Sequence, residues 1–84
     1  MAQNSEAQTK VRILAIAKML NEGRRINTNE ISRRLDLQYD IRVDRKTIYH
    51  DMYDIGRVIP IDVSYGPNGG YKKYDVMEAM EDGR

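Results

Sequence analysis

Apolar residues recur at helical spacing in three stretches of this chain and then switch to alternation. The first stretch is KVRILAIAKMLNEG. Val11, Leu14, Ala17 or Lys18, and Leu20 or Asn21 mark one side of it, and Ile13 and Ile16 widen that side. The spacing predicts a first helix over residues 7–22, with Ser5 as its cap and Gly23 just past its end. Arg24, Arg25 and Ile26 form a short link in which Ile26 is placed to pair briefly as an edge strand. Asn27 then has the character of an N-cap, with Glu30 three residues on as its capping-box partner. The second helix is expected from Thr28 to about Tyr39, burying Ile31, Leu35 and either Gln38 or Tyr39. Ile41 and Val43 anchor the connector YDIRV. Asp44 caps a third helix from Arg45 to about Ile55, stopped by Gly56, with Ile48, Met52 and Ile55 as its apolar stripe.

Beyond Gly56 the period becomes two. Ile59, Ile61, Val63 and Tyr65 alternate, with Pro60 near the strand start or on an edge. GPNGG is a turn signal, with Asn68-Gly69 its strongest dipeptide, and YKKYDV is the return strand. The order is helix, helix, helix, hairpin, an α+β arrangement. The expected organisation is a flexible N-terminus over 1–6, one domain over 7–76, and a short acidic tail over 77–84 with room for one helical turn. No internal repeat is visible.

Composition narrows the chemistry. Eighty-four residues make one domain with a small core. The absence of Cys removes disulfides, thiolate metal sites and cysteine nucleophiles. No apolar run approaches a membrane span, and the polar start MAQNSEAQTK is no signal peptide, so the chain is expected to be cytoplasmic and free of membrane. The net charge of +1 hides an asymmetry. Residues 10–73 hold thirteen Lys/Arg against eight Asp/Glu, a net +5, whereas residues 74–84 hold four acids against Arg84, a net −3. A moderately basic body suits a polyanionic partner, although many small soluble domains share it. All six aromatic residues are Tyr, and all lie from Tyr39 onward. Tyr can hydrogen-bond a phosphate while packing on a sugar.

The third helix concentrates the candidate chemistry. Lys46, Tyr49, His50, Tyr53 and Arg57 lie opposite its apolar stripe. Arg45 and Lys46 sit in its first turn, the end that enters a DNA major groove in helix-turn-helix proteins. Arg there can bond guanine O6 and N7 together, and Lys can reach the same edge or a phosphate. Two cations at a helix N-terminus oppose its dipole, which implies a functional reason for them. Tyr49 and His50 are candidates for bases or phosphates and Tyr53 for the sugar-phosphate backbone; alternatively the tyrosines stack and shield a small core. Thr47 can donate to a phosphate or cap its own helix. Asp51 falls near the inward edge, where Arg33 or Arg34 of the second helix is the expected partner. In the hairpin, Asn68 and Tyr65 lie nearest the tip, and alternation sends Lys72 and Lys73 to opposite faces. Arg24 and Arg25 either clamp a phosphate at the start of the second helix or simply decorate the surface. His50 has no second metal ligand at a sensible spacing and no nucleophile to activate. No phosphate loop or catalytic motif appears, so neither enzymatic activity, cofactor nor small-molecule ligand is expected.

RILAIAKML, NTNEISRRL, VDRKTIYHDM and GPNGGY, spread over roughly residues 10–76, resemble the amino-terminal winged helix-turn-helix domain of DeoR-like and WYL-domain bacterial transcription regulators, and more distantly that of biotin repressors. The resemblance implies a recognition helix at Arg45–Ile55 in the major groove and a wing at Tyr65–Tyr71 on the backbone or in the minor groove. Two features depart from the pattern: the link from Leu35 to Asp44 is longer than in the tightest members, and these regulators usually carry a sensing domain after the wing, so the chain is expected to be either a stand-alone small regulator or a piece of a longer one. The expected function is sequence-specific binding of double-stranded DNA by a small bacterial or mobile-element transcription regulator. A homodimer is expected, because one such module buries little DNA surface, with the first helix and Met77 and Met80 of the tail as its contacts. The rival readings are a protein-interaction module without DNA binding and a reader of structured RNA.

Overall fold

The computed structural model describes residues 5–74, in the order α1 (Ser5–Leu20), α2 (Thr28–Tyr39), α3 (Arg45–Gly56), β1 (Ile61–Ser64) and β2 (Gly70–Lys73). The two strands form one antiparallel hairpin. Three helices followed by a hairpin is the layout of a winged helix-turn-helix. The expected tail over 77–84, with Met77 and Met80, lies outside the described residues. α1 begins at Ser5, two residues before the expected start at residue 7.

Local chemistry sets the helix ends. Asn27 Oδ1 accepts from the Glu30 backbone N–H at 2.8 Å, and Asp44 Oδ1 accepts from the Thr47 N–H at 2.8 Å. The expected capping box is only half made, because the Glu30 carboxylate turns to Arg24. Gly23 takes φ +88° after α1, and its N–H donates to the Leu20 carbonyl at 3.2 Å. α2 ends on Asp40 at φ 54°, a left-handed conformation that Asp tolerates better than most residues. That turn drops Ile41 into the core. Gly56 does not stop α3. The helix includes it, and the Ile55 carbonyl then accepts from the N–H groups of Val58 and Ile59.

Ile16, Met19 and Leu20 of α1 pack with Ile31 and Leu35 of α2, Ile48, Met52 and Ile55 of α3, and Ile26 and Ile41 of the links. No aromatic ring is fully buried. Tyr39 and Tyr71 lie partly against this core and Gln38 is exposed. The inward face of α1 departs from the sequence reading. Ala15, Ile16, Met19 and Leu20 are buried together with Arg12, while Val11 and Leu14 are 46% and 70% exposed. On that side Arg12 meets a carboxylate inside the protein.

The hairpin is shorter than its alternation predicts. Ile61 pairs with Lys73, Asp62 with Lys72, Val63 with Tyr71 and Ser64 with Gly70. Its tip turns on Pro67 and Asn68, with the Gly69 N–H donating to the Gly66 carbonyl at 2.9 Å, rather than on Asn68-Gly69. Ile26 pairs with Tyr71, as expected of an edge strand: its N–H donates to the Tyr71 carbonyl at 2.8 Å and its carbonyl accepts at 2.7 Å. Arg25 reinforces this junction, donating to the Gly70 carbonyl at 2.9 Å and pairing with Asp62. The wing is therefore held by the segment that leads into α2. Among the described residues no helix is long and apolar enough to cross a membrane.

Candidate nucleic-acid interface

α3 buries Ile48, Asp51, Met52 and Ile55, and the opposite face follows from geometry. Lys46, His50, Tyr53 and Arg57 form an exposed stripe, and Tyr49 stands beside it, half exposed. Tyr49 and Tyr53 turn toward an open groove of about 730 Å³ between α3, the start of α2 and the hairpin. Tyr65 and Tyr71 line its far wall, Met52, Ile61 and Val63 its floor, and Asn27, Thr28 and Asn29 its end. Not one Asp, Glu, Lys or Arg lines it. Burial pushes the Tyr71 phenol up from its ordinary value.

The structure sorts the candidate residues. Arg45 is exposed, and its Nη2 donates to Asn29 Oδ1 at 3.2 Å, which aims the guanidinium across the starts of α2 and α3. Lys46 and His50 are exposed. The Thr47 hydroxyl donates to Asp44 Oδ1 at 2.7 Å, so it completes its own cap. That bond, with the Thr47 N–H, holds the Asp44 carboxyl below its ordinary range. Asn68 is exposed at the wing tip. Lys72 lies on the hairpin face of Asp62, whereas Lys73 Nζ donates to Asn21 Oδ1 at 3.1 Å, at the base of the wing.

Other cations are engaged. Arg24 binds Glu30 and Glu22, and Arg25 binds the hairpin, so neither is free as the phosphate clamp considered above. Arg34 bonds Glu22, which lowers that carboxyl below its usual range. Asp51 pairs with neither Arg33 nor Arg34. Its partner is Arg12 of α1, whose Nη2 donates to Asp51 Oδ1 at 3.1 Å while Nε bonds Oδ2. Sequence reasoning missed Asn29 as the partner of Arg45 and the groove itself, which exists only once the hairpin folds back beside α3.

No family model matches the chain, and no solved structure matches it. Two curated proteins match a segment of it. Both are named as probable Xaa-Pro aminopeptidases, from strains Pb03 and Pb18 of Paracoccidioides brasiliensis, and each is 43% identical over 44 residues. That segment is 52% of this chain and 9% of the relative, so the chain spans less than a tenth of the curated proteins it matches. A likeness of that extent describes a segment and establishes no enzymatic activity. Among the described residues no group of three or more His, Cys, Asp or Glu is arranged to hold a metal.

Proposed function

We propose that this chain binds double-stranded DNA sequence-specifically, as the DNA-binding unit of a small bacterial or mobile-element transcription regulator of the DeoR-like and WYL type. α3 enters the major groove, and the wing lies on the backbone or in the minor groove. The observation that carries this reading is the outward face of α3. Lys46, His50, Tyr53 and Arg57 stand exposed along one side of a helix whose other side is locked into the core. Arg45 keeps most of its N–H groups available after its single bond to Asn29. A capped helix with a base- and phosphate-seeking front meets the geometric need of direct readout.

Useful specificity from so small a module calls for two copies on one site. Exposed Val11 and Leu14 on α1 supply an apolar face for that pairing. The protein-docking rival draws on the uncharged, tyrosine-lined groove. Binding to random-sequence duplex across a salt series, followed by site selection, separates these readings. A preferred site weakened at one base position by Arg45→Ala supports α3 as the reader. Absence of duplex binding at low salt refutes the proposal and turns attention to the groove, and stronger competition by structured RNA than by DNA points to the RNA reading.

A further inference from the structure

The core contains one ion pair that stability alone does not explain. Arg12 and Asp51 are 8% and 4% exposed, 39 residues apart, and joined by two side-chain hydrogen bonds. Among the described residues no buried side-chain nitrogen or oxygen is left without a partner, so the pair satisfies itself. Buried ion pairs of this kind can usually be replaced by packed apolar groups with no loss of stability. What they add over apolar contact is direction.

That direction falls on α3. Ile48, Met52 and Ile55 hold the helix by burial, which is non-directional and tolerates some rotation about the helix axis. Side-chain tips lie about 6 Å from that axis, so a rotation of about 20° moves them by about 2 Å. A two-pronged guanidinium–carboxylate bond does not survive such a shift, and neither does a hydrogen bond to a base edge. Tyr49 and Tyr53 sit two residues either side of Asp51, about 160° around the helix from it. Fixing Asp51 on one side therefore fixes the tyrosines on the other, and with them the wall of the groove.

We propose that the Arg12–Asp51 pair is a positioning device that sets the rotation of α3 on the helical scaffold and so decides which side chains meet DNA. Its consequence for recognition rests on the DNA-binding reading, whereas the orientation itself does not. The test compares the intact chain with Arg12→Met/Asp51→Leu, which replaces the pair by apolar groups, and with Arg12→Lys, which keeps the charge but loses the fork. Residual dipolar couplings on the free proteins report the orientation of α3 relative to α1 and α2. Affinity for a selected site and for random duplex is measured alongside.

The expected result for the double variant is a melting temperature at or above that of the parent, with α3 couplings that are shifted or averaged. Its preference for the selected site should fall about tenfold or more, as for loss of a good base contact, with an unchanged salt slope on random duplex. Arg12→Lys should show the same changes to a smaller degree, and it decides the matter if the double variant does not fold. Couplings that superimpose on the parent's, or a fully retained site preference, would overturn the proposal. A parent that binds no duplex at all removes the DNA reading alone, since the couplings still decide whether the pair orients α3.

Discussion

Gly70→Ala should open the junction that holds the hairpin to the segment before α2. Gly70 opens β2 at φ +141°, and a Cβ there would stand 2.5 Å from the Ile26 carbonyl oxygen, 2.8 Å from its carbon and 3.0 Å from the Asn27 nitrogen. All three are backbone atoms, and the Ile26 carbonyl is fixed by the bond it accepts from Tyr71. The methyl fits only if the Ile26–Tyr71 bridge opens. Forcing an L-residue into positive φ costs about 1–2 kcal/mol. Losing the two bridge hydrogen bonds costs about 1 kcal/mol each, for a total of about 3–4 kcal/mol. Gly66 provides the internal control. It too has positive φ, +100°, but nothing lies within 4 Å of its added Cβ, so Gly66→Ala should show the conformational part alone. In a domain of this size 1 kcal/mol moves the melting temperature by about 4–8 °C, which separates the two variants by about 10 °C. Thermal unfolding followed by circular dichroism reads this directly. If Gly70→Ala melts with Gly66→Ala, or above it, the bridge does not hold the wing and the steric argument is wrong.

Asp51→Ala strands the Arg12 guanidinium in the core and should lower unfolding free energy by about 3–5 kcal/mol in urea titrations, far more than replacing both partners together. Asp44, Glu22 and Glu30 all have carboxyls held below their ordinary range, chiefly by side-chain hydrogen bonds from Thr47, Arg34 and Arg24 respectively. A depressed folded value gives stability that is present above the unfolded pKa, about 4, and lost as pH falls through the folded one, so melting should hold steady toward pH 5 and drop below it. Asp44→Asn keeps a capping oxygen and should flatten part of that acid limb, checked by melting scans at several pH values. Leu14→Glu places a charge on the exposed face of α1 and should convert a dimer to a monomer in sedimentation without loss of helix content.

Features set by near neighbours were legible in the sequence. Asn27 and Asp44 announce α2 and α3 through bonds three residues long, and the spacing of Ile48, Met52 and Ile55 marks the broad side of α3 that is buried. The inward side of α1 was not legible in the same way. Ile13, Leu14, Ala15, Ile16 and Ala17 are consecutive and apolar, so periodicity leaves the helix free to turn. The side that turns inward carries Arg12, whose carboxylate partner lies 39 residues away where no local pattern reveals it. At the wing tip the strong Asn-Gly signal yielded to Pro67, whose fixed φ suits the first central position of the turn.

The same distinction governs charge. The net +5 of residues 10–73 suggests a broad electrostatic grip, yet several of the flagged cations are already bonded to groups of the protein itself. Arg24 and Arg25 hold carboxylates, and Lys73 holds Asn21. On α3 and the wing, Lys46, Arg57 and Lys72 are exposed, with Arg45 partly engaged by Asn29. About three phosphate contacts per copy should therefore set the salt dependence, giving a slope near −3 per bound copy in log affinity against log salt. Lys46→Ala should reduce it by about one per copy across all sequences, whereas Lys73→Ala should leave it nearly unchanged. A slope that tracks the formal charge, or an equal loss from both substitutions, would mean that the internal bonds of these cations open on DNA and that the wing is gripped along its whole length.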